Sequence, residues 1–244
     1  ISRLGIFDSG LGGYSIYRFL MDYGPDIEYR LYSDQSNAPY GNCSDEHIKK
    51  LAEDAMRAFL SWGIEDVILA CNTVSSVALA HLRESFPQMR IWGIIDLTAS
   101  QAKNYDLIDV VSTQATYRTH AYAKVLEGKK VEERPLPKLA GLIEDKADED
   151  VIEAYIASHI ADLEGEALLL ACTHYPIVGK SFSKYYQGKI YDSRQPVLEF
   201  VKDLALEQEK VGSIYTSGSS LFMEKQIEAL FGVKEKVEEV ILCD

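Results

Sequence analysis

Val67-Ile68-Leu69-Ala70-Cys71-Asn72-Thr73 and Ala167-Leu168-Leu169-Leu170-Ala171-Cys172-Thr173-His174 are two versions of one local pattern, an apolar run that ends in Ala-Cys and passes into small hydroxyl or amide residues. Such runs are too short for an ordinary helix but suit strands covered on both faces, as in parallel sheets. Strands of that kind deliver functional groups at their carboxyl ends. Two matching thiols from two matching units point to a site between them, with one sulfur available to each face of a substrate.

Outward from these runs, strand-like and helix-like segments alternate along the chain, which predicts an α/β fold with parallel sheets. Short apolar strands are expected near 4–7, 28–33, 67–70, 91–95, 108–112, 167–171 and 237–242. The clearest helix runs from about 44 to 62. Ile48, Leu51, Ala52, Ala55, Met56, Phe59 and Leu60 mark its buried face, Ser44 is placed to cap it, and Asp45 and Glu46 suit its dipole. Further helices are expected at about 148–163, 196–209 and 219–231.

The repeat extends beyond the cysteines. Asp8-Ser9 precedes Cys71, and Ser112-Thr113 precedes Cys172, at similar distances. Each follows a strand-like run and leads into a segment with a basic residue and aromatics, Tyr14 to Arg18 and Thr116 to His120. The expected architecture is two similar parallel-sheet α/β domains related by approximate twofold symmetry, facing each other across a cleft. Residues 1–94 with 208–244 would form the first and 95–207 the second.

Composition excludes several classes. The 244 residues are 47% hydrophobic and 26% charged, an ordinary globular balance with enough length for two cores. Lys+Arg 25 against Asp+Glu 38 gives a net charge of −13, which repels phosphate backbones and anionic lipid, so neither nucleic acid nor membrane is expected as a partner. No apolar stretch approaches the roughly 18 residues of a membrane span, and Ile1 to Phe7 enters a strand without a signal-peptide layout, so a cytoplasmic location is the default. Cys43, Cys71, Cys172 and Cys243 contain no C-x-x-C pair and are expected to be reduced thiols.

The segment Gly5-Ile6-Phe7-Asp8-Ser9-Gly10-Leu11-Gly12-Gly13 reads as strand, glycine-rich turn and helix start. Glycines at 10, 12 and 13 permit positive φ and close backbone approach, and N–H groups at a helix start favour an anion. The spacing matches neither a dinucleotide fingerprint nor a P-loop. Asn37-Ala38-Pro39-Tyr40-Gly41 forms a rigid turn that can aim the Gly41 N–H at a carboxylate. Taken singly, each feature is as well explained by a plain turn.

A lone strand cysteine is usually an inert small hydrophobe. Asn72-Thr73 and Thr173-His174 place polar donors directly beside these two thiols, which an inert core does not require. A free thiol has a pKa of about 8.5 and needs a neighbouring base or donor to react near neutrality. His174 can serve Cys172 in that way, and Asp8 can serve Cys71. Zinc on Cys71, Cys172 and His174 is the rival use, but no close ligand pair of the usual kind is present. His47, His81, His120 and His159 fall in helical, polar surroundings and read as solvated.

Phe7-Asp8-Ser9-Gly10-Leu11-Gly12-Gly13, Pro39-Tyr40-Gly41, Ala70-Cys71-Asn72-Thr73 and Cys172-Thr173-His174-Tyr175-Pro176, in that order over the whole chain, resemble the cofactor-independent glutamate racemases of the aspartate/glutamate racemase superfamily. The resemblance implies two α/β domains with the active site between them, no cofactor and no metal, and a role in supplying D-glutamate for the bacterial cell wall. It implies that Cys172 acts on L-glutamate and Cys71 on D-glutamate, assisted by His174 and Asp8 respectively, with Glu144 supporting the histidine. Asn72, Thr73 and Thr173 would hold the α-carboxylate, and Ser9, Tyr40 and Gly41 would lie near the amino group and side-chain carboxylate. Thr113 and Thr116 would close the pocket from the second domain. Family members are often dimeric, so a homodimer is the further partner implied beside the amino acid.

The chain departs from the family pattern in three places. Ser112 to Thr119 replaces a usual Gly-Thr-x-x-Thr-x-x-Ser, Ala171 replaces a glycine before the second cysteine, and Arg194 replaces a glycine after Asp192-Ser193. The alternatives are racemisation of aspartate or another acidic amino acid, a binding protein that keeps the site without turnover, and a zinc hydrolase.

Overall fold

Each of the two Ala-Cys runs is a strand buried on both faces. The computed structural model describes residues 1–240, so Cys243 and the end of the last expected strand lie outside the described residues. In chain order the strands are β1 (Arg3–Asp8), β2 (Glu28–Ser33), β3 (Asp66–Leu69), β4 (Arg90–Gly93), β5 (Leu107–Ser112), β6 (Lys130–Pro135), β7 (Ala167–Ala171), β8 (Lys189–Tyr191), β9 (Val211–Thr216) and β10 (Glu238–Glu239). The helices are α1 (Gly13–Tyr23), α2 (Asp45–Ser61), α3 (Asn72–Ser85), α4 (Ile95–Ser100), α5 (Gln114–Thr119), α6 (Ala121–Val125), α7 (Leu139–Glu144), α8 (Glu149–Ile160), α9 (Gly179–Tyr185), α10 (Arg194–Leu204) and α11 (Ser220–Phe231).

The protein is α/β with two sheets, ordered β10-β9-β2-β1-β3-β4 and β6-β5-β7-β8. Every strand pair is parallel. The sets β2-β1-β3-β4 and β6-β5-β7-β8 share one topology: the chain steps from the central strand to one side, then crosses to the other. That reversal opens a crevice beyond the carboxyl ends of the central strands. Asp8 and Cys71 lie at it in one sheet, Ser112 and Cys172 in the other.

Alternation explains why the runs are apolar throughout. Ile68 and Ala70 join one core of the first sheet, whereas Val67 and Leu69 join the core on its opposite face. In β7, Leu168 and Leu170 pack with α8 and α9, and Leu169 and Ala171 pack with α4 and α6. Helix α2 forms where expected: Ser44 accepts the His47 N–H at 3.3 Å, and Ile48, Ala52, Ala55, Met56 and Phe59 are buried.

Other segments depart from the sequence reading. β6 is not apolar; Lys130-Val131-Glu132-Glu133-Arg134 is a charged edge strand, a common protection against unwanted pairing. β8, three residues long at the other edge, is too short to leave a pattern. Helix α10, grouped with the second unit in the sequence reading, instead buries Val197, Leu198 and Val201 in a core of the first sheet. Strand β9, by contrast, pairs with β2 of the first sheet, the unit to which the sequence reading assigned it. Among the described residues no helix is long and apolar enough to cross a membrane.

Leu169 is fully buried in a central strand. Leu169→Ala is expected to lower the free energy of unfolding by about 2–5 kcal/mol, read from urea denaturation; a loss below about 1 kcal/mol would mean that this face is not packed.

Candidate active site

The turn after β1 carries carboxylate-binding N–H groups, and the carboxylates that fill them are the protein's own. Asp8 Oδ2 accepts the N–H of Gly10 at 3.1 Å and of Gly13 at 3.0 Å. Its Oδ1 accepts the Thr173 hydroxyl at 3.1 Å, a contact from the second half of the chain. The Leu11 N–H goes to Glu144 Oε1 at 2.7 Å.

Close approach, not positive φ, is what the glycines supply. Among the described glycines positive φ occurs at Gly63, Gly128 and Gly232, not at Gly10, Gly12 or Gly13. A Cβ at Gly12 would lie 2.4 Å from Thr173 Oγ1 and 2.7 Å from the Thr173 carbonyl carbon, and one at Gly10 would lie 2.3 Å from Glu144 Oε1. These glycines let one half seat against the other.

Cys71 follows β3 and stands at the N-terminus of α3, with its sulfur 3.5 Å from Ser9 Oγ. Burial, reinforced by the nearby Asp8 charge, pushes its thiol up to about 12, so it rests protonated. Asp8 itself is held above the usual carboxylate range by burial, against the pull of His174 and its own hydrogen bonds. Asp8 stands behind the sulfur without a hydrogen bond to it; the hydroxyl beside Cys71 is that of Ser9.

Cys172 follows β7 and lies 3.7 Å from His174 Nδ1. His174 Nε2 is 2.7 Å from Glu144 Oε1. Burial alone would discharge this ring, but its bonds to Cys172 and Glu144 outweigh burial and raise it well above the usual histidine range. Glu144 responds in kind: burial would raise it, and the His174 bond with the other donors brings it down to about 2. An imidazolium donates through both nitrogens, so the Cys172 sulfur is an acceptor. The Cys71 thiol rests as a proton donor, and the Cys172 sulfur accepts a hydrogen bond.

Both sulfurs line one small cavity. Of the residues singled out in the sequence, its wall carries Ser9, Tyr40, Gly41, Cys71 and Asn72 from the first half. Thr73 belongs to that set as well, and Thr113, Cys172, Thr173 and His174 face them from the second. Asp8, Glu144 and Thr116 stand behind the wall; Thr116 donates its N–H to Thr113 Oγ1 at 3.3 Å. Thr113 and Thr73 hydroxyls meet at 2.8 Å across the cleft. The space offers about 10 Å³ to the centres of water molecules, room for roughly one water.

Asn72 lines it. Its Oδ1 accepts the Tyr122 hydroxyl, and its buried Nδ2 has no partner. An unpaired buried N–H is costly, and an anionic ligand would satisfy it. Tyr122 was not legible as a site residue, since it reads as an apolar-face aromatic of a short helix. Gln226 and Gln35, which hold Glu144, were also missed; Gln226 gave a faint signal as an amide between the buried Met223 and Ile227 of α11. Among the described residues no group of three or more His, Cys, Asp or Glu side chains is arranged to hold a metal ion.

Two thiols in unlike surroundings, one beside an imidazolium and one buried and protonated, delivered by two parallel sheets to a closed, donor-lined cavity, define an α/β isomerase that works by proton transfer. The chain is 31% identical to the glutamate racemase of Persephonella marina over 98% of each chain. It is 29% identical to that of Aquifex aeolicus, covering 99% of this chain and 98% of the other. The crystal structure of the Francisella tularensis glutamate racemase in complex with D-glutamate superposes with a TM-score of 0.89, at 24% identity, over 98% of this chain and 97% of that one. No protein-family model matches. The chain belongs to the glutamate racemase family.

With Cys43, Cys172 and Cys243 replaced by serine, the rate of Cys71 alkylation is expected to climb with pH until close to its value of about 12. A plateau near pH 8.5, the value of a free thiol, would show that the sulfur is not buried.

Proposed function

We propose that the chain interconverts L- and D-glutamate by carrying one proton away from Cα on one sulfur and returning one from the other. The observation that carries this is the unequal pair of sulfurs, Cys172 paired with His174 and Cys71 held as a thiol, on the wall of a single cavity.

In the L-to-D direction the Cys172 sulfur accepts the α-proton, and the C–H electron pair stays on Cα, spread into the α-carboxylate. Cys71 then gives its S–H proton to the opposite face and is left as a thiolate. Atoms and charge balance, and the two sulfurs finish with their proton status exchanged. Donors that meet the carboxylate stabilise the carbanion without a separate electron sink; the unpaired Asn72 Nδ2 supports that role, and we assign Thr73 and Thr173 to it as well. Ser9, Tyr40 and Gly41 are assigned to the amino and side-chain carboxylate groups. We assign Thr113 and Thr116 to closing the second half, Asp8 to keeping Cys71 protonated through its charge, and Glu144 to His174.

A cavity with room for about one water cannot admit an amino acid unless the halves part. The lobes proposed to move are residues 1–94 with α10 onward, and the segment between them, with α4 and α10 at the junction, where Thr98 and Ser193 hydroxyls meet at 2.7 Å. Supply of D-glutamate for the cell wall, a cytoplasmic location and a homodimeric assembly are proposed on the family relationship alone.

Circular dichroism is expected to fall to zero from either pure enantiomer of glutamate, and much faster than from aspartate; the reverse preference would replace the substrate, and no change with either would leave only a binding protein. Cys71→Ala and Cys172→Ala should each slow racemisation by about 10²–10⁴-fold. Because enantiomers have equal free energy, kcat/KM must fall equally in both directions. In D2O the product enantiomer of the wild type should carry deuterium before the remaining substrate does; unchanged Cα exchange in both variants would sink the two-thiol mechanism. Since His174 titrates above its usual range, the alkaline limb of kcat/KM should reflect loss of its proton as pH rises through that raised value.

A further inference from the structure

We propose that Gln226, on α11, is a positioning residue for the Cys172 half-site, holding the Glu144 carboxylate on His174 from the opposite lobe when the cleft closes. The proposal rests on the two-thiol reading above and adds to it a group that makes no contact with the cavity.

Gln226 lies on the face of α11 that carries Met223 and Ile227 into a core of the first sheet, and it is fully buried. An amide at such a position is unfavourable unless its donors and acceptor are used. Here they are used on the reaction machinery. Nε2 donates to the Glu144 main-chain carbonyl at 2.8 Å and to its Oε2 at 3.2 Å, and Oε1 accepts from the Gln35 amide. Gln35 Nε2 also reaches Glu144 Oε2, at 3.4 Å. Bridging a residue's carbonyl to its own carboxylate fixes the torsions between them. The other oxygen, Oε1, is thereby turned to His174 Nε2 and the Leu11 N–H, each at 2.7 Å.

The donors divide by lobe. His174 and Glu144 follow the strands of the second sheet, whereas Leu11, Gln35 and Gln226 are carried by elements of the first. Parting the halves to admit substrate therefore removes every donor on Glu144 except His174. Closure restores them, and the histidine regains a carboxylate of fixed orientation only around an enclosed ligand. Proton abstraction by Cys172 is thus coupled to closure through Gln226.

The test is Gln226→Met, which keeps length and bulk and removes the donor, in the full chain. Expected are a fall in kcat of about tenfold with little change in KM, and a downward move of the alkaline limb of kcat/KM, because His174 loses its oriented partner. In a Glu144→Gln background, followed by Cα deuterium exchange, Gln226→Met should change the rate less than twofold if the two act through one another. Wild-type rates, an upward or unmoved limb, or an equal loss in both backgrounds would each overturn the proposal; an upward limb would mean that Gln226 only drains charge from Glu144. If Gln226→Met does not fold, judged by its thermal unfolding, Gln35→Met must show the same downward shift to a smaller degree, or the proposal fails. Absence of glutamate racemisation by the wild type would instead remove the parent reading, so the two failures are distinct.

Discussion

A buried imidazolium–carboxylate pair, His174 with Glu144, is the interaction on which the closed arrangement depends. Taking either ion out of water costs several kcal/mol, and attraction alone repays it only when every remaining lone pair and proton is also engaged. The molecule meets that condition in an unusual place, at the meeting of two lobes. Glu144 draws donors from the Leu11 main chain, from Gln35 and from Gln226 in addition to the histidine. Removing either half of the pair would strand a charge in a sealed interface; the pair sets the protonation of the ring, and the donors that reach Glu144 from the first lobe are what tie it to the closed cleft.

The same economy shapes the turn after β1. Its N–H groups could cradle any anion, but Asp8 and Glu144 occupy them, and the glycines remove Cβ atoms that would keep Thr173 and Glu144 away. The turn thus acts as a seat for the second lobe. At the start of α3, Asn72 has its amide oxygen taken by Tyr122 and its Nδ2 without a partner among the described residues. The hydroxyl of Tyr122 leaves Asn72 a donor to offer, the polarity a carboxylate requires.

Legibility in the sequence followed from how strongly local chemistry constrained each element. The strands β1, β3, β5 and β7 are buried on both faces and admit little but apolar residues, so the topology-defining centre of each sheet could be read directly. The edge strands β6 and β8 are constrained only by backbone pairing and carried no such pattern. α10 shows the complementary limit: its amphipathic face was clear, but nothing local states which of two cores it will enter. At the site, residues flanking the cysteines were legible because polar groups beside an apolar run are anomalous. Gln226 and Tyr122 act from helices distant in sequence, and their meaning exists only once the lobes meet.

Repetition supplies two thiols, but a racemase needs them unlike at any instant, one to receive a proton and one to give it. Two sulfurs in equivalent surroundings would hold a shared proton with no preference between them. The structure breaks the equivalence at positions where the two halves of the repeat differ in residue type: His174 on one side, and on the other the Ser9 hydroxyl with the Asp8 charge and no base. In the proposed mechanism a turnover exchanges the sulfurs' proton status, so this bias favours one resting form and cannot favour one product, since the enantiomers are equal in free energy. What it sets is which enantiomer meets a ready enzyme, and hence how kcat and KM divide between directions while their ratio stays the same.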